Sequence, residues 1–92
     1  MPFFQHEPID LVIDVRSRFE FWTGHLDGAT CIPLTKLESV IAERGTAMDT
    51  RILVYCASGA RSATAARMLA SLGYRNVRDG GAMTNVRPEY VG

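Results

Sequence analysis

Residues 54–62 read Val54-Tyr55-Cys56-Ala57-Ser58-Gly59-Ala60-Arg61-Ser62. An apolar run ends on the cysteine, small residues and a glycine follow, and an amphipathic stretch comes next. This order predicts a buried strand, a tight turn and a helix. The N–H groups of such a turn and the positive end of the helix dipole converge on one spot, which favours an anion. A cysteine held there ionises easily, and the thiolate is its nucleophilic form.

The composition indicates a small globular protein without a strongly charged surface. The chain has 92 residues, of which 47% are hydrophobic, and its ten acidic and ten basic residues cancel. We expect residues 1–92 to form one domain with an ordinary core. Without a basic excess, neither nucleic acid nor an anionic membrane is an expected partner. An anionic ligand would have to be held by a local feature.

The two cysteines, Cys31 and Cys56, are too few for a disulfide scaffold, and no cysteine or histidine pair has metal-ligand spacing. We therefore expect no metal and no cofactor. A bridge between the two cysteines stays open as a minor alternative, because both are predicted to end strands. Residues 1–7 lack the basic and apolar regions of a signal peptide. The expected location is cytoplasmic, with a periplasmic one open if a signal peptide was removed.

Strand and helix patterns alternate along the chain. The predicted strands cover residues 11–15, 29–33, 52–55 and 76–78, the last broken by Gly80-Gly81, and the tail from about residue 82 is predicted to be irregular. This alternation predicts an α/β fold with a mostly parallel sheet of four to five short strands, covered on both faces by helices. Ligands of such sheets bind beyond the carboxyl ends of the strands, where Cys56 and residues 14–16 fall.

Local signals mark the ends of the predicted helices. Two capping-box patterns begin at Ser17 and Thr35, each with a glutamate three residues later. Phe19 and Trp22 are three residues apart, so we expect them to share the buried face of the first helix. The third helix should cover about residues 62–72 and end in a Schellman motif, with Tyr74 packing back on the helix.

Several short motifs occur in an order and spacing typical of one family. They are Asp14-Val15-Arg16, Gly24-His25-Leu26-Asp27-Gly28-Ala29, Ile32-Pro33-Leu34, Tyr55-Cys56, Arg61-Ser62, Gly73-Tyr74 and Gly80-Gly81. Over about residues 11–82 the chain resembles the single-domain rhodaneses, or thiosulfate sulfurtransferases, and it is similar to their short phage-shock-type members. The resemblance implies a three-layer α/β fold and a catalytic cysteine that heads a six-residue loop. It also implies a ping-pong cycle through a cysteine persulfide.

The resemblance and the residue pattern together assign roles to the candidate site. Cys56 is the expected nucleophile, and Asp14 and Arg16 are expected to brace the loop by hydrogen bonds. For Arg61 two interpretations stay open, binding of an anionic substrate or pairing with a carboxylate such as Asp14. The motif gives His25 a structural part rather than a role in a Cys–His dyad. The residues expected to bind the substrate anion are Ala57, Ser58, Gly59, Ala60, Arg61 and Ser62.

The predicted reaction is transfer of a sulfane sulfur from a small anionic donor, such as thiosulfate, to cyanide or a thiol, with a protein acceptor also open. Arg61 lies five residues after Cys56. Phosphatases of similar fold carry this arginine one position later, where this chain has Ser62, so the spacing favours attack on sulfur. Family members often have a cationic residue where this chain has Ala57. Its absence here predicts weak binding of thiosulfate. The alternatives are a persulfide carrier or partner-binding module and, less favoured, a cysteine phosphatase or arsenate reductase.

Overall fold

The computed structural model describes residues 1–92, and its strands and helices alternate along most of the chain. The strands are β1 (Phe3–Phe4), β2 (Glu7–Pro8), β3 (Leu11–Asp14), β4 (Thr30–Cys31), β5 (Arg51–Cys56), β6 (Asn76–Ala82) and β7 (Tyr90–Val91). The α-helices are α1 (Arg18–Thr23), α2 (Leu37–Arg44), α3 (Ala60–Ser71) and α4 (Met83–Val86), and short 3-10 turns cover Leu34–Lys36 and Arg87–Glu89.

A four-stranded parallel sheet forms the centre of the fold, in the order β4-β3-β5-β6. In its register, Ile13 pairs with Val54 and Asp14 pairs with Tyr55. The carboxyl ends of β3 and β5 therefore lie side by side, which brings the segment after Asp14 next to the segment after Tyr55. The predicted α/β class and the mostly parallel sheet are confirmed.

Both faces of this sheet are covered, because successive side chains of its central strands point to opposite sides. One apolar cluster joins β3 and β5 to α2 and α3, and its fully buried members include Ile13, Ile52, Val54, Leu37, Ile41, Ala65 and Leu69. The other cluster packs three parts of the chain against the opposite face: the N-terminal segment, the segment that follows α1, and helix α4. Its members are Val12, Leu53, Tyr55, Phe4, Ile9, Leu26 and Val86. The result is the three-layer arrangement that the family resemblance implies.

The helix-end signals are confirmed at two sites and wrong at a third. Ser17 and Glu20 form the predicted capping box, with both reciprocal hydrogen bonds present. The Schellman motif is also present, since the N–H of Tyr74 donates to the carbonyl of Leu69 at 3.1 Å. The box predicted at Thr35 does not form. That residue lies inside a 3-10 turn, and Lys36 precedes α2 without a side-chain cap.

The C-terminal segment differs from the prediction in two respects. β6 is not broken at its two glycines but continues to Ala82, with a register irregularity opposite Val54 and Tyr55. Gly80 is required there by close packing, since a Cβ would lie 2.6 Å from Cγ2 of Val86. The tail is not irregular either, because it forms α4, a 3-10 turn and β7.

A second, three-stranded antiparallel sheet was not predicted; its order is β2-β1-β7. Its strands have only two residues each, too few to show an alternating pattern. The turn between β1 and β2 places Gln5 and His6 at positive φ, without the glycine or asparagine that usually marks such a hairpin. None of the helices is both long and apolar enough to cross a membrane.

Candidate active site

Cys56 is the last residue of β5, and α3 begins four residues later at Ala60. The chain reverses between them through Gly59, whose φ of +105° favours glycine over residues with a side chain. Because α3 follows at once, its first N–H groups point back towards the end of β5. Cys56 therefore lies at the floor of a loop with backbone donors on its inner side. It is buried, whereas Ala57, Ser58 and Ala60 above it are exposed.

The sulfur of Cys56 accepts two backbone hydrogen bonds, from the N–H of Gly59 at 3.0 Å and of Ser62 at 3.3 Å. Burial alone raises the pKa of the thiol. The N–H and hydroxyl of Ser62 and the N–H groups of Gly59 and Ser58 outweigh burial, so the pKa of Cys56 is lowered. The Ser62 hydroxyl also donates to the Gly59 carbonyl at 3.1 Å, and its single proton serves either acceptor. The loop thus stabilises a thiolate.

The loop holds further backbone donors. The N–H of Ala57 donates to no backbone acceptor, and the N–H groups of Ala60 and Arg61 have no partner inside α3 because they belong to its first turn. Two of them open α3, where the helix dipole adds partial positive charge. A second anionic atom bound above Cys56 would find these donors already in place.

Arg61 is paired with a carboxylate, but the partner is Glu20 of α1 and not Asp14. The two guanidinium nitrogens Nη1 and Nη2 donate to the two carboxylate oxygens at 2.7 and 2.9 Å. The guanidinium lowers the pKa of Glu20 to about 2. In the sequence, the only signal at Glu20 is the capping-box pattern with Ser17. No local pattern joins residues 20 and 61, because their contact depends on how α1 packs beside the loop.

Asp14 and Arg16 form a buried ion pair at the end of β3. The Arg16 guanidinium donates to both carboxylate oxygens, at 2.7 to 3.1 Å, and to the carbonyl of Gly24 at 2.6 Å. Neither residue makes a hydrogen bond to residues 57–62, so the expected direct brace of the loop is wrong. The ion pair reaches the loop only indirectly, through Tyr55, the residue before Cys56. The Arg16 guanidinium lies 5.8 Å from the ring centroid of Tyr55.

Helix α1 buries none of its residues, although it carries three aromatic side chains. Phe19 and Trp22 are 72% and 80% exposed, so the predicted burial of this pair is wrong. The helix is held instead by its polar groups, through Glu20. Its third aromatic residue, Phe21, stacks on the ring of His25 at 3.6 Å, and Nδ1 of His25 contacts the Phe21 carbonyl at 2.8 Å. His25 therefore serves the end of α1 and forms no dyad with Cys56.

Cys31 is a free thiol, as is Cys56, and the two are not bridged. It ends β4 and is half-buried, and its Sγ donates to the Arg16 carbonyl at 3.9 Å. Burial and the charge of Asp14 raise the pKa of Cys31. Its environment therefore disfavours the thiolate.

Two clefts of the surface lie away from Cys56. One of about 600 Å³ is lined by residues of the small antiparallel sheet and the preceding turn, among them Phe3, His6, Glu89 and Tyr90. Another of about 220 Å³ lies at the opposite end of the parallel sheet, near Arg51. Neither contains a residue of the Cys56 loop. We place the candidate site at the loop because only there do backbone donors converge on a thiol.

The sequence matches the family of rhodanese-like domains over residues 4–81. It is 31% identical over 74 residues to the thiosulfate sulfurtransferase PspE of Escherichia coli, covering 80% of this chain and 71% of that protein. It is 32% identical over 80 residues to the human thiosulfate:glutathione sulfurtransferase, covering 74% of this chain and 70% of that protein.

Solved structures give the same result. A rhodanese with anions from E. coli superposes with a TM-score of 0.79 at 30% identity, covering 88% of this chain and 95% of that one. The human single-domain sulfurtransferase TSTD1 gives a TM-score of 0.67 at 30% identity, covering 75% and 72% of the two chains. Sequence, fold and loop agree, and the chain belongs to the family of rhodanese-like domains as a rhodanese-type enzyme.

Proposed function

We propose that this enzyme moves a sulfane sulfur from thiosulfate, or a related anionic donor, to cyanide or a thiol through a persulfide on Cys56. The observation that carries the proposal is the pair of backbone N–H groups, of Gly59 and Ser62, that donate to the Cys56 sulfur. They lower the pKa of the thiol and so favour the thiolate, its nucleophilic form. The names of the similar sulfurtransferases support thiosulfate as donor and glutathione-type thiols as acceptors.

In the first half-reaction, the Cys56 thiolate attacks the outer sulfur of thiosulfate. A bond forms between the two sulfurs, the sulfur–sulfur bond of thiosulfate breaks, and sulfite leaves with the electron pair. The persulfide keeps one negative charge on its outer sulfur. The N–H groups of Ala57, Ala60 and Arg61 are positioned to donate hydrogen bonds to that sulfur.

In the second half-reaction, an acceptor anion attacks the outer sulfur of the persulfide. Cyanide leaves as thiocyanate, or a thiolate leaves as a new persulfide, and the electron pair of the broken bond restores the Cys56 thiolate. Cys56 is buried and the residues above it are exposed. Donor and acceptor therefore approach Cys56 from the same open side and must do so in turn, as a ping-pong cycle requires. A thiol of a partner protein can take the place of the small acceptor.

The test is product formation over many turnovers, with thiosulfate as donor and either cyanide or a small thiol as acceptor. The proposal predicts thiocyanate or persulfide well in excess of the enzyme concentration. One equivalent of bound sulfur without turnover would instead identify a persulfide carrier that needs a protein acceptor. Release of phosphate from an aryl phosphate, with no sulfur transfer, would overturn the proposal in favour of phosphatase chemistry.

A further inference from the structure

Arg61 is the only cationic residue between Cys56 and Ser62, and its charge is already cancelled. Glu20 holds it through two parallel hydrogen bonds, at 2.7 and 2.9 Å. Such bidentate contacts are the strong, geometrically specific form of an arginine–carboxylate pair. A doubly charged donor approaching the loop meets an ion pair rather than a free cation.

Glu20 is fixed for this contact by its own helix. Its Oε1 atom also accepts the N–H of Ser17 at 3.1 Å, and its N–H donates to the Ser17 hydroxyl at 3.2 Å. The capping box therefore aims the carboxylate at Arg61. With its pKa lowered to about 2, Glu20 remains charged at every pH at which the enzyme would work.

The next residue, Ser62, donates its N–H to the Cys56 sulfur at 3.3 Å, so Arg61 stands in the part of the loop that meets an anion bound there. Glu20 is the main cause of the raised pKa of Arg61, but the negative charge of Cys56 contributes as well. Arginine has five N–H donors, and Glu20 takes two of them. The remaining donors can still bind a substrate oxygen, without a net positive charge to favour a dianion.

We propose that Glu20 is a specificity-determining residue, which by pairing with Arg61 makes the loop favour singly charged sulfur donors, such as thiol persulfides, over the thiosulfate dianion. The inference rests on the proposed sulfur transfer at Cys56. A persulfide donor reacts in a balanced step: the Cys56 thiolate attacks its outer sulfur, the donor's sulfur–sulfur bond breaks, and the donor thiolate leaves with the electron pair.

The experiment compares Glu20→Gln with the wild type on two donors, thiosulfate with two negative charges and an aryl thiosulfonate with one, with cyanide as the common acceptor. Glutamine also fits the third position of a capping box, so α1 keeps its cap. Glu43→Gln is the matched control, because this substitution changes the net charge by the same amount. Glu43 is exposed on α2 and makes no ion pair.

We expect Glu20→Gln to lower the KM for thiosulfate by on the order of threefold to tenfold. This is the order of magnitude for the attraction between an anion and one unpaired guanidinium a few ångströms away in a solvent-exposed site. The KM for the thiosulfonate should fall by a clearly smaller factor, and Glu43→Gln should change neither.

An unchanged ratio of the two KM values in Glu20→Gln would overturn the inference. If Glu20→Gln does not fold, the wild type gives the answer: a KM for thiosulfate that rises steeply with salt would reveal an uncancelled cation and contradict the inference. Absence of turnover with both donors in the wild type would instead contradict the proposed function.

Discussion

Cys31 and Cys56 each end a strand of the same parallel sheet, yet the structure gives the two thiols opposite acid–base properties. Two backbone N–H groups contact the sulfur of Cys56, and its pKa is lowered. The sulfur of Cys31 has only a distant carbonyl beside it, and burial raises its pKa. A strand end alone therefore does not activate a cysteine.

The difference lies in the backbone that follows each strand. After Cys56 the chain turns through Gly59 into the twelve-residue helix α3, whose first N–H groups point back at the sulfur. After Cys31 it runs on through Pro33, which has no N–H, into a single 3-10 turn. One segment supplies donors where the thiol needs them and the other does not, so the two cysteines act as an internal control for each other.

The largest expected effect comes from replacing each of the two cysteines in turn. Cys56→Ser should lower sulfur transfer by on the order of a thousandfold or more, because the attacking atom is lost. Cys31→Ser should leave turnover within about twofold, since its thiol touches no loop residue. Turnover from thiosulfate and cyanide, with thermal unfolding as the check on folding, measures both. Comparable losses in the two variants would break the distinction between the two cysteines.

The next difference is the ionisation of the two thiols. With Cys31→Ser only Cys56 titrates as a thiol, and we expect its thiolate absorbance in the ultraviolet to appear at a midpoint below the ordinary pKa of 9.0. With Cys56→Ser only Cys31 titrates, and its midpoint should lie above 9.0. The value of kcat/KM should rise with pH through the midpoint of the Cys56 titration and then level off. Coincident midpoints would show that the loop does not tune its cysteine.

A third prediction concerns the turn that distinguishes the two segments. Gly59→Ala should cost roughly 1–2 kcal/mol of stability, because alanine resists positive φ, and should slow turnover by moving a donor off the sulfur. Gly45→Ala is the control, since Gly45 also has positive φ, at the end of α2, with nothing within 4 Å of an added Cβ. It should lose similar stability and keep its turnover. Equal turnover in both variants would remove the turn from the explanation.

The smallest effect is expected from the Ser62 hydroxyl. Ser62→Ala removes this group but keeps the backbone N–H that donates to Cys56 at 3.3 Å. The pKa of Cys56 should rise by about one unit or less, as for the loss of one of several hydrogen bonds to a thiolate. Titration in a Cys31→Ser background measures this shift. A fall in the pKa would mean that the hydroxyl favours the neutral thiol.

The strand, turn and helix around Cys56 could be predicted from the sequence because each has a strong local signal. Four apolar residues precede the cysteine, Gly59 permits the turn, and an amphipathic stretch with a Schellman ending follows. The donors to the sulfur are backbone groups, so the shape of the loop alone predicts them. The same reasoning predicts the parallel sheet.

Contacts between distant segments could not be predicted in this way. The pairing of Arg61 with Glu20 depends on the packing of α1. Asp14, the carboxylate expected to pair with Arg61, binds Arg16 instead, two residues away. Phe19 and Trp22 follow helical spacing, which normally indicates a buried face, but a six-residue helix held by an ion pair does not have to bury them. The two-residue strands β1, β2 and β7 are too short for any periodicity.

The most direct measurement of the central claim is the intact mass of the protein after brief incubation with thiosulfate. Wild type and Cys31→Ser should each gain about one sulfur atom, ~32 Da, as a persulfide that cyanide removes. Cys56→Ser should gain nothing. A gain that persists in Cys56→Ser, or that disappears in Cys31→Ser, would contradict the assignment of sulfur transfer to the Cys56 loop.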